Sequence, residues 1–145
     1  MDTLGIKYRI YPTVEQEQVL AQMFGSNRFV YNYFLNLKKT SYETDKQSIN
    51  YVETSRLLTF LKQDSDHLWL QDVSSTGLQQ SLRHLDKAYQ SFFKTKKGYP
   101  KFKSKYNRQS ISFTGGQVRF VDNGILIPKL KSPIRIVQSR ELPSV

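Results

Sequence analysis

The sequence predicts an α+β fold: a small antiparallel β-sheet or barrel, wedge-like, interrupted by a four-helix lobe. Three observations carry this. One strand-like segment, Leu4–Tyr11, stands alone at the front, with Ile6, Tyr8 and Ile10 alternating against Lys7 and Arg9. Helical patterns then fill residues 13–97. Short alternating segments return only after about Ser110. A lone strand leaves its backbone groups unpaired, and its only available partners lie beyond the helices.

The elements follow in order. Pro12 stops the first strand, Thr13 reads as an N-cap, and Gln16 three residues on is a capping-box partner. Val19, Leu20, Met23 and Phe24 give the first helix its apolar stripe, and Gly25 is expected to end it. A second helix is expected from Ser26 to about Tyr42, with Val30, Phe34 and Leu37 on one face. Asn50 caps a third, with Glu53 at its third position and Leu57, Leu58 and Leu61 inside. Asp64–Asp72 reads as a connection anchored by Trp69. Ser74 or Ser75 caps a long fourth helix to about Lys94, with Leu78, Leu82, Leu85, Tyr89 and Phe92 at heptad-like spacing. Gly98-Tyr-Pro100 breaks that helix. Ser110–Phe113, Gln117–Val121, Ile125–Pro128 and the stretch holding Ile134, Ile136 and Gln138 read as strands. Gly115-Gly116 and Asp122-Asn-Gly124 are turns between them. The expected organisation is a first strand at 1–12, an inserted lobe at 13–97, and a basic linker with the remaining strands at 98–145. The abrupt end at Val145 reads as a chain cut before a further domain.

Charge points to the partner. Residues 1–86 carry nine Lys/Arg and ten Asp/Glu, whereas residues 87–140 carry thirteen Lys/Arg and one acid, Asp122. A basic block joined to a nearly neutral front implies a polyanion, and nucleic acid is the commonest one. The block has no basic amphipathic helix with a greasy opposite face, so no membrane partner is expected. Its densest part, Lys94 to Arg108, holds seven basic residues and no acid, with Tyr99, Phe102 and Tyr106 interleaved. Cations attract phosphates through counterion release, and rings stack on bases. Tyr99 and Tyr106 are the candidate stacking platforms, and Phe102 is expected to be buried. If the segment is extended, Lys101, Lys103 and Lys105 share one side.

Other chemistry finds little support. The chain has no cysteine, which removes disulfides and thiolate zinc sites. His67 and His84 are isolated. Asp86 reads as an ion-pair partner on a helix surface rather than a catalytic acid. Metal-assisted phosphoryl transfer needs several carboxylates at one point, and no such cluster is visible, so neither a catalytic residue nor a metal or other cofactor is expected in this chain. Without a signal peptide or a long apolar run, a soluble cytoplasmic protein is expected.

Several segments together resemble the amino-terminal part of the TnpB (OrfB) family of bacterial insertion sequences. They are Lys7-Tyr-Arg-Ile-Tyr-Pro12 with Thr13 and Gln16, Arg28-Phe-Val-Tyr-Asn32, Ser74-Ser75 with Leu78-Gln-Gln80, Leu85-Asp86-Lys-Ala-Tyr89 with Phe92-Phe93, Gly98-Tyr-Pro-Lys-Phe-Lys-Ser-Lys105, and Arg108-Gln-Ser110. The resemblance implies RNA-guided DNA endonucleases related to type V CRISPR effectors, described in older accounts as transposases with a helix-turn-helix front end. It implies a wedge-like β-barrel with an inserted recognition lobe, binding a guide RNA scaffold and the double-stranded DNA motif beside the target. It also implies that catalysis, with Mg²⁺, belongs to a later nuclease domain that this chain lacks.

On the fourth helix Gln79, Arg83, Lys87, Gln90 and Lys94 fall on one arc opposite the apolar row. With the resemblance, Gln79, Gln80 and Arg83 become candidates for DNA-motif contact, because glutamine pairs with adenine and arginine reads guanine or holds phosphate. Lys87, Lys94, Lys96, Lys97, Lys101, Lys103, Lys105 and Arg108 are the candidate phosphate or RNA contacts. Two alternatives stand beside this reading. One is a stand-alone helix-turn-helix regulator, with Thr13–Phe24 and Ser26–Tyr42 joined at Gly25. The other is an interaction module or inert transposon remnant.

Overall fold

A computed structural model describes residues 8–46, 48–95, 98–114 and 116–137. The order is β1 (Ile10–Tyr11), α1 (Val14–Asp45), α2 (Tyr51–Leu61), a 3-10 helix (Ser65–Asp72), α3 (Ser75–Thr95), β2 (Arg119–Val121), β3 (Gly124–Leu126) and β4 (Ile134–Ile136). The chain divides into two compact units, one of residues up to Leu20 with those from Thr114 on, the other Ala21–Phe113.

In the first unit the front strand finds its partners beyond the helices, as the lone-strand argument requires. The sheet order is β1-β4-β3-β2 with antiparallel neighbours. Ile10 pairs with Ile136 and Tyr11 with Arg135, whose guanidinium lies 5.0 Å from the Tyr11 ring centre. Along β4, Ile134 and Ile136 are buried and Arg135 is exposed, the alternation of a one-sided strand. Asp122 and Asn123 link β2 to β3, with Asn123 at φ 55, a left-handed value that asparagine tolerates. Gly124 is required next, since a Cβ there would stand 3.0 Å from the Ile134 carbonyl oxygen.

The anticipated barrel is not present. Among the described residues the sheet is open, with β1 and β2 at its edges. Four strands of two or three residues are too few and too short to satisfy the tilt and stagger of a closed barrel. Of the expected Leu4–Tyr11 strand, residues 4–7 lie outside the described residues, as do Gly115 and Gln138. Ser110–Phe113 forms no strand. Its apolar residues turn to the helices instead: Ile111 lies by Gly77, and with Phe113 lines a small cleft beside Met23 and Val73.

The capping box predicted from Thr13 and Gln16 is complete. Thr13 N–H donates to Gln16 Oε1 at 2.9 Å, and Gln16 N–H donates to Thr13 Oγ1 at 3.2 Å. Gln16 is also buried, and its Nε2 donates to Ser132 and to the Pro133 carbonyl at 3.0–3.2 Å. One side chain thus fixes the start of α1 and the approach to β4.

Gly25 does not end a helix, and the two front helices are one element of 32 residues. A glycine inside a helix costs about 1 kcal/mol relative to alanine, which packing overrides here. The buried positions Met23, Ser26, Asn27, Val30, Tyr31, Phe34, Leu35 and Lys38 step by threes and fours straight past Gly25, forming one continuous stripe. In the helical unit this stripe packs with Leu58 and Leu61 of α2, Leu70, and Leu78, Leu82, Leu85 and Tyr89 of α3. Asn50 caps α2 by accepting from Glu53 N–H at 3.0 Å. The expected 64–72 connection is itself the 3-10 helix, with Trp69 set edge-on to Phe29 at 5.0 Å.

Candidate nucleic-acid interface

The basic segment after α3 is held in the helical unit by specific bonds. Asn32 Nδ2 donates to the Lys103 carbonyl at 2.9 Å, and Lys103 N–H donates to Asn32 Oδ1 at 2.7 Å. Lys103 Nζ stands 4.3 Å from the Tyr31 ring centre, and this partial burial lowers its pKa. Tyr99 shares a hydroxyl–hydroxyl hydrogen bond with Tyr89 and stands edge-on to Tyr89 and Phe92. A turn follows, closed by Asn107 N–H donating to the Ser104 carbonyl at 3.1 Å.

These anchors build a polar groove within the helical unit. Asn27 and Arg28 come from α1, Gln80, Ser81 and His84 from α3, and Lys103, Arg108 and Gln109 from the basic segment. Three of the lining residues are cationic and none is acidic. The wall is rigid behind them, because Ser81 Oγ donates to the Asn27 carbonyl at 3.2 Å in a buried bond. Arg28 lies inside α1, away from the helix start where a cation would oppose the dipole. No carboxylate ion-pairs with it among the described residues. The His84 pKa is lowered by burial first, then by Lys103 and Lys87. An electropositive site with a neutral imidazole and an amide edge suits phosphate and base contacts better than proton chemistry.

The structure brings together some of the residues singled out from the sequence and separates others. Gln80 and His84 line the groove and also a second, shallower one with Arg83, Lys87 and Gln90. Gln79 is turned toward α2, where its Oε1 accepts from Tyr51 Oη at 3.0 Å and Ser55 Oγ at 2.8 Å. Arg83 stacks on the Tyr51 ring at 4.4 Å. Lys101, Lys105 and Arg108 are exposed, while the bonds to Asn32 fix the Lys103 backbone. Lys94 lies in the last turn of α3, far along the helix from Gln80, and its charge suits the dipole there. Lys96 and Lys97 lie outside the described residues. Tyr106 is 85% exposed, with Lys105 Nζ 5.1 Å from its ring centre, whereas Tyr99 is built into the aromatic cluster. Phe102, expected to be buried, is 50% exposed: Asn32 sets the segment's backbone on the helices through Lys103. Asp86 is an ion-pair partner, 3.9 Å from Lys38 Nζ and accepting from Gln90 at 2.8 Å.

Asn32 is the residue that pattern reading missed. Asparagine is a weak helix former, so its half-buried place inside a long helix, beside the buried stripe, signals a side-chain bond to backbone elsewhere. Among the described residues no three metal-ligating side chains converge, and no helix is long and apolar enough to cross a membrane.

Residues 1–47 match the family model of the helix-turn-helix domain of OrfB proteins of the IS605 type. In this chain, Val14–Asp45 of that stretch is a single helix. A candidate RNA-guided DNA endonuclease of Streptomyces pristinaespiralis is 37% identical over 140 residues, 96% of this chain and 35% of that protein. The candidate RNA-guided DNA endonuclease InsQ of Escherichia coli (strain K12) is 30% identical over 142 residues, 97% of this chain and again 35% of the relative. The virulence protein VsdF of Salmonella dublin is 34% identical over 111 residues, 70% of this chain and 93% of that protein. The chain therefore spans about a third of the two endonuclease relatives and nearly all of the short one. It belongs to the TnpB/OrfB family and corresponds to the N-terminal part of its long members.

Proposed function

We propose that this chain is the nucleic-acid-binding front of an RNA-guided DNA endonuclease, holding guide RNA and the DNA motif beside the target without cutting either. The observation that carries the reading is the groove of Arg28, Lys103 and Arg108, with Gln80 in its lining and no acid. Cations of this density bind phosphate by counterion release. Gln80 is the motif reader, and its amide pairs with adenine through both donor and acceptor. Gln79 is a poorer candidate, because α2 already occupies its acceptor. Arg83, Lys87, Lys101, Lys105 and Arg108 hold phosphates, and Tyr106 is the stacking platform.

Cleavage and its Mg²⁺ belong to the part of the long relatives that this chain does not span. The chain's own acids support this division: Asp86 is committed to Lys38 and Gln90, and Asp122 sits in a hairpin turn. The test is purification at moderate salt followed by ribonuclease treatment. Co-purifying RNA that is lost to ribonuclease is the expected result, together with target DNA left intact in Mg²⁺. Protein free of RNA and without affinity for RNA or duplex DNA at 50 mM salt overturns the reading.

A further inference from the structure

A third opening in the helical unit is lined by rings. It is a cavity of about 240 Å³ between the end of α1, Ser48 and Ile49, the end of α3 and Tyr99. Tyr89, Phe92 and Tyr99 stand edge-on around its interior, with ring centres 5.2 and 5.4 Å apart. Tyr42 and Phe93, both at least half exposed, complete its lining toward solvent. The volume lies below the roughly 300–1,000 Å³ of pockets that take drug-sized ligands. It fits one ring system.

Lys38, Tyr89 and Tyr99 bring donors to the cavity. Lys38 is only 6% exposed, and its Nζ donates to the Ile49 carbonyl at 2.6 Å. Asp86 is 3.9 Å away and the Tyr89 ring centre 4.9 Å, so only one of three ammonium protons is in a short hydrogen bond. The Tyr89 and Tyr99 hydroxyls share one hydrogen bond, which leaves a second hydroxyl proton without an acceptor among the described residues. Burial, then the bond to Tyr99, push the Tyr89 hydroxyl's pKa up and keep it protonated. Outside the lining, Lys46 Nζ lies 5.3 Å from the ring centre of Tyr42. An aliphatic occupant would leave these donors unanswered, and a cationic one would be repelled. A flat ring with carbonyl acceptors, tied to a phosphate, satisfies the rings, the donors and the Lys46 charge together.

We propose that this cavity takes one unstacked nucleobase with ring carbonyls, of the uracil or thymine kind, from a single strand whose phosphate meets Lys46. The inference rests on the nucleic-acid reading above and adds a specific base-binding pocket to it. RNA and displaced DNA offer the same chemistry, so the test separates them.

The test measures affinities of the 145-residue protein for a 12-nucleotide oligouridine RNA, an oligothymidine DNA, and abasic versions of both. Phe93→Ala and Tyr42→Ala each remove a half-exposed ring, with folding monitored by circular dichroism. Each variant should weaken binding of an intact oligomer at least about fivefold and leave its abasic version unchanged. Tyr106→Ala, outside the cavity, should add independently to the Phe93→Ala loss. Crosslinking with 4-thiouridine RNA or 4-thiothymidine DNA should mark Tyr42 or the 89–99 stretch, and the more efficient strand identifies the source. Equal losses on intact and abasic oligomers overturn the proposal. Unchanged affinity in both variants also overturns it and assigns the cavity to an apolar side chain of a protein partner. No binding of any oligomer overturns the nucleic-acid reading as well, which keeps the two failures distinct.

Discussion

The amide of Asn32 brackets the backbone of Lys103, donating to its carbonyl at 2.9 Å and accepting from its N–H at 2.7 Å. This is the hydrogen-bond exchange of a strand neighbour, made by one side chain on a helix. It sets the basic segment against α1 and aligns Lys103 and Arg108 with Arg28.

Asn32→Ala should therefore release the segment without unfolding the helices. Helical circular dichroism stays near wild type, and RNA affinity falls about tenfold, the equivalent of 1.4 kcal/mol and within the usual value of two hydrogen bonds. Asn32→Asp retains the acceptor for N–H but sets a second acceptor against the carbonyl, so it should not rescue. Full affinity in Asn32→Ala would remove the bracket from the binding argument.

Salt dependence checks the phosphate contacts. Replacing Lys101, Lys105 and Arg108 with alanine should flatten the log–log slope of affinity against salt by about two to three units. Lys103→Ala alone should flatten it by about 0.7–0.9, the value of the single phosphate contact that its place in the groove provides. Filter binding between 50 and 200 mM salt distinguishes the two.

The two glutamines should differ in kind. Gln79→Ala leaves the Tyr51 and Ser55 hydroxyls without their shared acceptor and should destabilise the fold by about 1–3 kcal/mol in denaturant titration. Gln80→Ala should leave stability unchanged and reduce preference for one DNA motif by about 1–3 kcal/mol in the RNA-loaded, full-length parent. The reverse pattern would exchange their roles.

His84 gives binding a pH signature. Its free-state pKa is lowered by burial and by Lys103 and Lys87. A phosphate in the groove raises it, so the complex takes up a proton. Affinity should rise as pH falls through the raised pKa of the complex, and level off below the lowered pKa of the free protein. His84→Gln should flatten the curve between pH 7.5 and 5.5. An unchanged curve places the phosphate away from His84.

Gln16 offers a stability test in the other unit. Gln16→Ala removes half the capping box and the donations to Ser132 and Pro133, for a loss of about 2 kcal/mol. Gln16→Glu keeps the cap acceptor but turns oxygen toward the Ser132 and Pro133 carbonyls, and should be as unstable when ionised. Urea titrations at pH 7 compare the two.

Much of this was legible in local chemistry. Thr13 with Gln16, Asn50 with Glu53, the leucine row of α3 and the isoleucine alternation of β4 each specify their element through a spacing, and each formed as read. Gly25 acts as a breaker only in isolation, and the stripe from Met23 to Lys38 runs past it with unbroken period. Ile111 and Phe113 alternate like a strand yet face helices, because alternation shows that one face is buried and not what buries it. Gln79 and Gln80 are adjacent amides, and only the approach of α2 separates a structural one from a candidate reader. The groove joins residues about 75 positions apart, and no local pattern encodes that.

The β1–β4 pairing sets an order of events during synthesis. Ile10 bonds opposite Ile136, so the first strand emerges from the ribosome long before its neighbour exists. At roughly 5–20 residues per second, the intervening stretch takes on the order of ten seconds to appear. The helical unit is complete well within that interval. Its collapse draws the two ends of an otherwise long loop toward each other, and loop closure then costs less entropy. The nascent front strand, Ile10–Tyr11, meanwhile has an open edge, and the charge of Arg9 beside it acts as a gatekeeper against pairing with a neighbouring nascent chain.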